Sequence, residues 1–275
     1  PFGGGGLSIT SDSDMLIQNN SLIESETNTS GLFVADITAE SISGSILIDD
    51  TDVSGAEISL TANDGDISYS GFGVDVTASQ NFTSTSNTFT GSTISAGGSV
   101  DISATSSLSG QSIDGSDVTL RGGSVDLDNA FVQAATSVTI TGDRVSLLGN
   151  ASVQTSQSPI AGGPILVIPE ISITADEFIN MGAATAGGLR TARLILETTG
   201  TASTDFISVA IDTTRASLAD IPTRLTASSQ GSIVIRDIAP DPITNFANGI
   251  ALTRPGGALL NLVDPLAMGR DADPA

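Results

Sequence analysis

The chain of 275 residues contains no cysteine, histidine, lysine or tryptophan, and it has only one tyrosine. The lack of cysteine excludes disulfide bonds and thiol catalysis, and the lack of histidine removes the commonest general base and metal ligand. The shortage of Trp and Tyr leaves little of the aromatic surface against which sugar-binding clefts stack their ligands. The side chains that remain for chemistry are carboxylates, hydroxyls, amides and nine arginines.

Positive charge is also scarce, since nine basic residues face 31 acidic ones and the formal net charge is −22. Binding to nucleic acid is therefore disfavoured, because phosphate contacts need clustered cations. Anionic membrane surfaces are disfavoured for the same reason, whereas solubility in an exterior rich in divalent cations is favoured. No run of 18 apolar residues occurs, so no transmembrane helix is predicted.

The residues that are abundant favour strands and turns. Hydrophobic residues make up 39% of the chain and charged residues only 15%, while glycine occurs 30 times and Ser, Thr, Val and Ile are plentiful. Such a composition lacks the Leu, Glu and Lys background of exposed helices and suits pleated strands with tight turns. We therefore predict an all-β protein.

A repeat of about twenty residues runs through the segment SDVTLRGGSVDLDNAFVQAATSVTITGDRVSLLGNASVQTS, residues 116–156. At a shift of twenty, four apolar residues coincide with four others: Val118, Leu120, Val125 and Leu127 with Val138, Ile140, Val145 and Leu147. Sixty residues earlier, which is three periods, the same spacing places Ile58, Leu60, Ile67 and Phe72 against Val118, Leu120, Leu127 and Val132. Repeats of this length made of short strands are typical of solenoids.

The spacing of the apolar pairs predicts three short strands and three bends per coil. Stacked coils of this kind form a parallel β-helix, or β-solenoid, in which each strand pairs with the same strand one coil above and below. Because side chains alternate along a strand, one set is expected to point inward: Val118, Leu120, Val125, Leu127 and Val132. The outward set is Thr119, Asp126 and Gln133. Longer loops are expected between the strands of the C-terminal part.

Four regions follow along the chain. Residues 1–6 are expected to be a flexible Gly-rich start and residues 7–157 a run of regular coils. Residues 158–239 are interpreted as a continuation with longer loops, and residues 240–275 as a C-terminal cap or tail. The start at Pro1, without Met or a signal sequence, suggests a processed product or a piece of a longer polypeptide.

Three short motifs carry a resemblance to a known family. They are GGSVDI at residues 97–102, GGSVDL at residues 122–127 and ASVQTS at residues 151–156. In these motifs, and more broadly over residues 31–180, the chain resembles the filamentous-haemagglutinin-like surface proteins of bacteria. The resemblance implies a right-handed parallel β-helix, export by a partner outer-membrane protein, and a role as an adhesin or surface fibre. The Asn-Pro signatures of that family's secretion domain are not visible, so the resemblance points to an internal or mature segment.

Clusters of aspartate are the candidate metal ligands. They are Asp64 with Asp66, Asp49 with Asp50 and Asp52, and Asp12 with Asp14. Calcium takes about six to eight oxygen ligands, which turns with alternating carboxylates and nearby carbonyls can supply. No cluster has the twelve-residue loop ending in Glu or the tandem glycine-rich nonapeptide of known calcium sites. Calcium is the only cofactor considered, and Asp as a turn former is the competing interpretation.

A catalytic interpretation would rest on three other carboxylates. Asp75, Asp101 and Asp126 occupy the same outward place in Val-Asp-Val, Val-Asp-Ile and Val-Asp-Leu triplets, so they could line one face in a row. Carboxylate pairs on such a face would suit polysaccharide hydrolysis or lyase action. Any repeat, however, places similar residues at equivalent positions.

The sequence is therefore interpreted as a non-enzymatic, secreted structural or adhesive β-helix, located at the cell surface in a bacterial fibre, layer or matrix. Self-association, other surface proteins and polysaccharide are the expected partners. The alternative is a carbohydrate-active β-helix, either a polysaccharide-degrading enzyme or a phage tailspike-like protein.

Overall fold

The computed structural model describes residues 6–18, 22–24, 35–71, 74–91, 93–155, 168–182, 187–211, 224–237, 250–253 and 260–263. Within these residues the chain forms 23 β-strands and no helix. The all-β prediction is confirmed. Contacts between residues divide the chain into two compact units, residues 1–126 and residues 127–275, which we call unit one and unit two.

Unit one contains thirteen strands. They are β1 (Leu7–Ser11), β2 (Met15–Ile17), β3 (Leu22–Glu24), β4 (Ile37–Ser41), β5 (Ile46–Asp49), β6 (Asp52–Gly55), β7 (Ile58–Ala62), β8 (Ile67–Ser70), β9 (Asp75–Ala78), β10 (Phe82–Thr90), β11 (Thr93–Ala96), β12 (Ser99–Ser109) and β13 (Ser112–Asp126).

Unit two contains ten strands. They are β14 (Phe131–Ser146), β15 (Ser152–Thr155), β16 (Glu170–Asn180), β17 (Leu189–Arg190), β18 (Arg193–Thr198), β19 (Phe206–Ile211), β20 (Arg224–Ser228), β21 (Ser232–Asp237), β22 (Ile250–Thr253) and β23 (Leu260–Val263).

The strands of unit one pair in parallel and fall into three rows. Row one runs from β1 through β4 and β7 to the first parts of β10 and β12 and the middle of β13. Row two runs through β2, β5 and β8 to the later parts of β10, β12 and β13. Row three consists of β3, β6, β9, β11 and the start of β13. Three strands per repeat, as the apolar spacing predicted, are therefore present in this unit.

The sixty-residue relation in row one is confirmed. Ile58 pairs with Phe82, Phe82 with Val100, and Val100 with Val118, which makes three register steps. Parallel pairing in register puts apolar residues of successive strands over one another, so the repeat in the sequence corresponds to the ladder.

In row two, one predicted pairing is wrong. Ile67 leads through Phe89 and Leu108 to Val125, and not to Leu127 as the sequence alignment proposed. The pairing of β12 with β13 shifts register between Ala104 and Ser107. This one-residue shift reverses the shift between β10 and β12, so the difference of two arises one step earlier. Between the pairs Thr61–Thr85 and Ile67–Phe89, the corner before β8 has five residues where β10 has three, and a constant period misplaces the residues that follow it.

Unit two also has parallel rows, with longer connections between strands. One row contains the middle of β14, the first part of β16, β18, β20 and β22. A second contains the later parts of β14 and β16, then β19, β21 and β23. A third contains the start of β14, β15, β17 and Ile211. In the region expected to be a cap or tail, β22 and β23 continue two of these rows.

The core lies on the inward faces of the rows. Val118, Leu120 and Val125 in unit one, and Leu127 and Val132 in unit two, are fully buried. The predicted outward residues are accessible to solvent: Asp126 is exposed, and Thr119 and Gln133 are half-buried. The predicted inward and outward sets are thus confirmed, because each strand has one buried and one solvated face.

The turn that follows row two of unit one uses left-handed backbone. Asp50, between β5 and β6, has a φ of 44°, and Gly71, after β8, has a φ of 99°. A Cβ at Gly71 would overlap the Asp50 carboxylate. Aspartate tolerates this conformation and glycine adopts it freely, so the second turn stacks directly on the first.

Several predictions concern residues outside the described part of the chain. They are the flexible start except for Gly6, the position of Phe72, and those parts of residues 158–239 and 240–275 that the ranges above leave out.

Candidate functional site

Asp64 and Asp66 lie at the corner between β7 and β8, and both are exposed. The backbone N–H of Asp66 donates to Ser45 Oγ at 3.1 Å, and the Asp66 carbonyl accepts the N–H of Ile46 at 2.8 Å. Gly65, between the two aspartates, lies so close to Gly44 that a Cβ would overlap the Gly44 carbonyl. The corner is therefore held by its backbone to the equivalent corner of the preceding repeat.

Asp49, Asp50 and Asp52 lie at the turn between β5 and β6, and the carboxylates of Asp49 and Asp52 have different partners. Asp49 Oδ1 accepts a hydrogen bond from the Ser70 hydroxyl, and Asp52 Oδ1 accepts the backbone N–H of Asp75 at 3.0 Å. Both bonds connect one repeat to the next along the ladder.

Asp14 makes the same type of contact one repeat earlier. Its Oδ1 accepts the backbone N–H of Ser45 at 2.8 Å, and Ser45 Oγ in turn accepts the N–H of Asp66. Asp12 takes part through its carbonyl oxygen, which accepts the Ser43 hydroxyl. Corners have backbone N–H groups that no strand partner satisfies, and short oxygen-bearing side chains satisfy them locally.

Within the described residues, no group of three or more acidic side chains is placed to hold a metal ion. The carboxylates of Asp49 and Asp52 instead bind groups of the neighbouring repeat. The turn-forming interpretation accounts for these contacts, and calcium binding at Asp49, Asp50, Asp52, Asp64 or Asp66 stays a prediction.

A second polar ladder precedes the strands of row one. Asp36 Oδ1 accepts the backbone N–H of Glu57 at 3.2 Å, and Asn81 Nδ2 donates to Glu57 Oε1 at 3.2 Å. Asn81 Oδ1 then accepts both the N–H and the hydroxyl of Ser99, at 2.9 and 3.0 Å. This set, which we call the corner ladder (Asp36, Glu57, Asn81 and Ser99), joins four successive repeats through side chains.

Ion pairs link repeats on the solvent-facing side. Arg121 Nη1 lies 2.8 Å from Asp101 Oδ1 in unit one, and in unit two Arg193 Nη1 lies 3.1 Å from Glu170 Oε2. Such exposed pairs contribute little to stability individually, because solvent screens them. Each pair neutralises the charge of one acid.

The pair of Arg144 and Glu177 has the closest geometry of the ion pairs. Arg144 Nε lies 2.7 Å from Glu177 Oε2, and Arg144 Nη2 lies 3.3 Å from Glu177 Oε1, a two-pronged contact. The hydrogen bond from Arg144 lowers the pKa of the Glu177 carboxyl, and the charge of Arg144 lowers it further. The same contact raises the pKa of the guanidinium.

The three aspartates considered for catalysis do not share a row. Asp75 pairs with Thr93 in row three, Asp101 with Thr83 and Thr119 in row one, and Asp126 with Ser109 in row two. The single row of carboxylates on which a catalytic interpretation would rest is therefore not formed. The triplets are similar in sequence, but they occur at different positions within the repeat. Asp101 is in addition paired with Arg121.

Two surface features of unit two were not recognised from the sequence. Phe178 and Phe206 are in register on β16 and β19, and their rings stack at 5.3 Å with an interplanar angle of 11°. Both strands contain a Phe-Ile pair, and this repeat in the sequence could have indicated that the two rings are neighbours. On β14 and β15, Gln154 Nε2 donates to Gln133 Oε1 at 2.6 Å, and the repeated Val-Gln pair indicated that contact.

Comparisons with protein-family models, with curated proteins and with solved structures found no match in any of the three. Among the described residues, no helix has the length and apolar character needed to span a membrane.

Proposed function

We propose that the chain is a right-handed parallel β-helix that serves, without enzymatic activity, as a structural or adhesive element of a bacterial cell-surface fibre, layer or matrix. The observation that carries the proposal is the succession of parallel strand rows, in which each strand pairs with its equivalent one repeat later. A β-helix extends by about 4.8 Å per coil along one axis, so such a ladder is suited to building length.

The use of the polar side chains supports a structural role. The corner ladder and the aspartates of the β5–β6 turn bind groups of neighbouring repeats. Three ion pairs do the same on the outer faces. These interactions stabilise the ladder itself. A surface fibre or layer that resists pulling forces requires such stability.

The net charge of −22 supports a location outside the cell, where divalent cations can screen or bridge acidic chains. We therefore propose that the protein is exported and associates with copies of itself, with other surface proteins or with polysaccharide. The resemblance to filamentous-haemagglutinin-like proteins in the GGSVDI, GGSVDL and ASVQTS motifs supports the same proposal.

Electron microscopy of the purified chain, combined with analytical ultracentrifugation, tests this function. We expect elongated particles that assemble into fibres or layers when calcium or magnesium is added and that separate when a chelator is added. Particles that stay monomeric across all cation concentrations, and that bind neither bacterial surfaces nor polysaccharide, would contradict the proposal.

An activity assay on acidic polysaccharides distinguishes the structural proposal from the carbohydrate-active alternative. We expect no shortening of the polymer when it is followed by size-exclusion chromatography. Depolymerisation that is lost in Asp75→Asn, Asp101→Asn or Asp126→Asn variants, but retained in an Asp64→Asn control, would replace the structural proposal with an enzymatic one.

A further inference from the structure

Three hydroxyl groups are buried in the core of unit one without a hydrogen-bond partner among the described residues: Tyr69 Oη, Ser84 Oγ and Ser86 Oγ. Ser84 and Ser86 are each only 3% exposed, and Tyr69 is 9% exposed. An unsatisfied buried hydroxyl is destabilising, so three in neighbouring strands need a physical explanation.

Other buried hydroxyls among the residues that the structure describes have partners. Ser41 Oγ donates to the Ser13 carbonyl at 2.8 Å, and Thr51 Oγ1 donates to the Asp49 carbonyl at 2.9 Å. In unit two, Thr198 Oγ1 donates to Ser229 Oγ at 2.7 Å. The fold thus satisfies buried hydroxyls by direct contact where a protein acceptor is near. The hydroxyls of Tyr69, Ser84 and Ser86 differ, because they have no such partner among the described residues.

Ser84 replaces a bulky residue in the ladder, whereas Ser86 is in register with Ala104. Ser84 is in register with Leu60 on β7 and with Ile102 on β12, both fully buried. A serine side chain is much smaller than either neighbour, so the core at Ser84 has both a polar atom and less side-chain volume than the same position of the strands on each side. Polar surroundings and available volume are the two conditions for a buried water.

Tyr69 belongs to the strand directly before β10 in row two, where Ile67 is in register with Phe89. Its ring lies edge-on to Phe89, with ring centroids 5.8 Å apart, so the phenol is part of the same core. Burial raises the pKa of the Tyr69 phenol, which therefore stays protonated and can donate a hydrogen bond.

We propose that ordered water is bound inside unit one at β10, with Ser84 Oγ and Ser86 Oγ as ligands and Tyr69 Oη as a further ligand from β8. Two inward residues on one strand are about 6.6 Å apart along the chain, and a water bonded at about 2.8 Å on each side spans at most about 5.6 Å, so the two serine hydroxyls must turn towards each other to share one molecule. Each buried water usually makes about three hydrogen bonds, so more than one buried hydroxyl can serve as a partner of the same molecule. The site is independent of the proposed function, since it concerns the core and not the surface.

A high-resolution crystal structure of the full chain tests the site directly. We expect electron density for water within hydrogen-bond distance of at least two of the three hydroxyls. Density that shows the hydroxyls in contact only with apolar atoms, or turned to protein acceptors, would overturn the proposal.

Thermal unfolding of three conservative variants gives a second test, because Tm is expected to fall if water is bound and not to fall if the hydroxyls are unsatisfied. If water is bound, Tyr69→Phe, Ser84→Ala and Ser86→Ala should each lower Tm by about 2–4 °C, because the water loses a partner. If the hydroxyls are unsatisfied, the same variants should leave Tm unchanged or raise it, because a buried polar group is removed. Thr85→Ala, outward and exposed on the same strand, is the matched control and should leave Tm unchanged.

Discussion

Aspartate and asparagine at the corners connect repeats. Asp14, Asp52 and Asn81 each accept a backbone N–H from the following repeat, at 2.8, 3.0 and 2.9 Å. A parallel ladder leaves corner amides without strand partners, and a short side chain with an oxygen two bonds from Cβ reaches them. This explains why an acidic chain without a metal cluster in its described residues places so many acids in turns.

At the residue scale, we predict that Arg144→Gln raises the pKa of Glu177, because the guanidinium lowers it in the folded protein. A lowered folded-state pKa means that the pair contributes stability above the unfolded-state pKa and that this contribution is lost as the pH falls through the folded-state pKa. The measurement is an NMR titration of the Glu177 carboxyl carbon.

Arg193→Gln, which removes the partner of Glu170 in the same unit, is the matched control and should leave the Glu177 titration in place. An unchanged Glu177 pKa in Arg144→Gln would show that the two-pronged contact is not maintained in solution.

Among the elements, pairing on both sides distinguishes the middle strands from the first ones. β12 pairs with β10 and with β13, and its Val100 and Ile102 are fully buried. Among the described strands, β1 pairs with β4 alone, and its Leu7 is 43% exposed although it is in register with the buried Ile37. A ladder is therefore weaker at a strand that has one partner.

Hydrogen exchange should reveal this difference. We predict that the amides of Val100–Ala104 exchange at least tenfold more slowly than those of Leu7–Ser11 after correction for intrinsic rates, which corresponds to about 1.4 kcal/mol in opening free energy. Mass spectrometry of peptides from both segments provides the measurement. Equal protection would mean that the free edge of β1 is covered by another strand in solution.

For the whole molecule, excess negative charge opposes the compact state. With 31 acidic and nine basic residues, repulsion between carboxylates is spread over both units. Salt shortens the range of this repulsion to about 8 Å at 0.15 M ionic strength. The three ion pairs among the described residues neutralise only a few of the acids.

We predict that Tm rises as sodium chloride is increased from low ionic strength to about 0.15 M, because screening reduces the repulsion that unfolding relieves. Differential scanning calorimetry supplies the measurement. Magnesium chloride and calcium chloride at the same ionic strength should raise Tm as much as sodium chloride does if screening alone causes the rise. An additional rise with calcium that is lost in Asp64→Asn with Asp66→Asn, or in Asp49→Asn with Asp52→Asn, would identify a calcium site.

The sequence by itself determined the strand content, the three-strand repeat and the inward residues. Alternating Val, Leu and Ile can bury only one face of a strand, and a period near twenty leaves few ways to pair them. Val118, Leu120 and Val125 could therefore be assigned to the core without coordinates.

Only the tertiary structure decided the register after each corner and the contacts of the polar residues. Two extra residues in the corner between β7 and β8 place Ile67 in line with Val125 and not with Leu127, and the rows separate Asp75, Asp101 and Asp126. The buried Ser84 and Ser86 also differ from the outward Thr83 and Thr85 only through the face on which the strand places them. Hydroxyls and carboxylates have no strong intrinsic preference for a face, so pairing with the neighbouring strands determines what they contact.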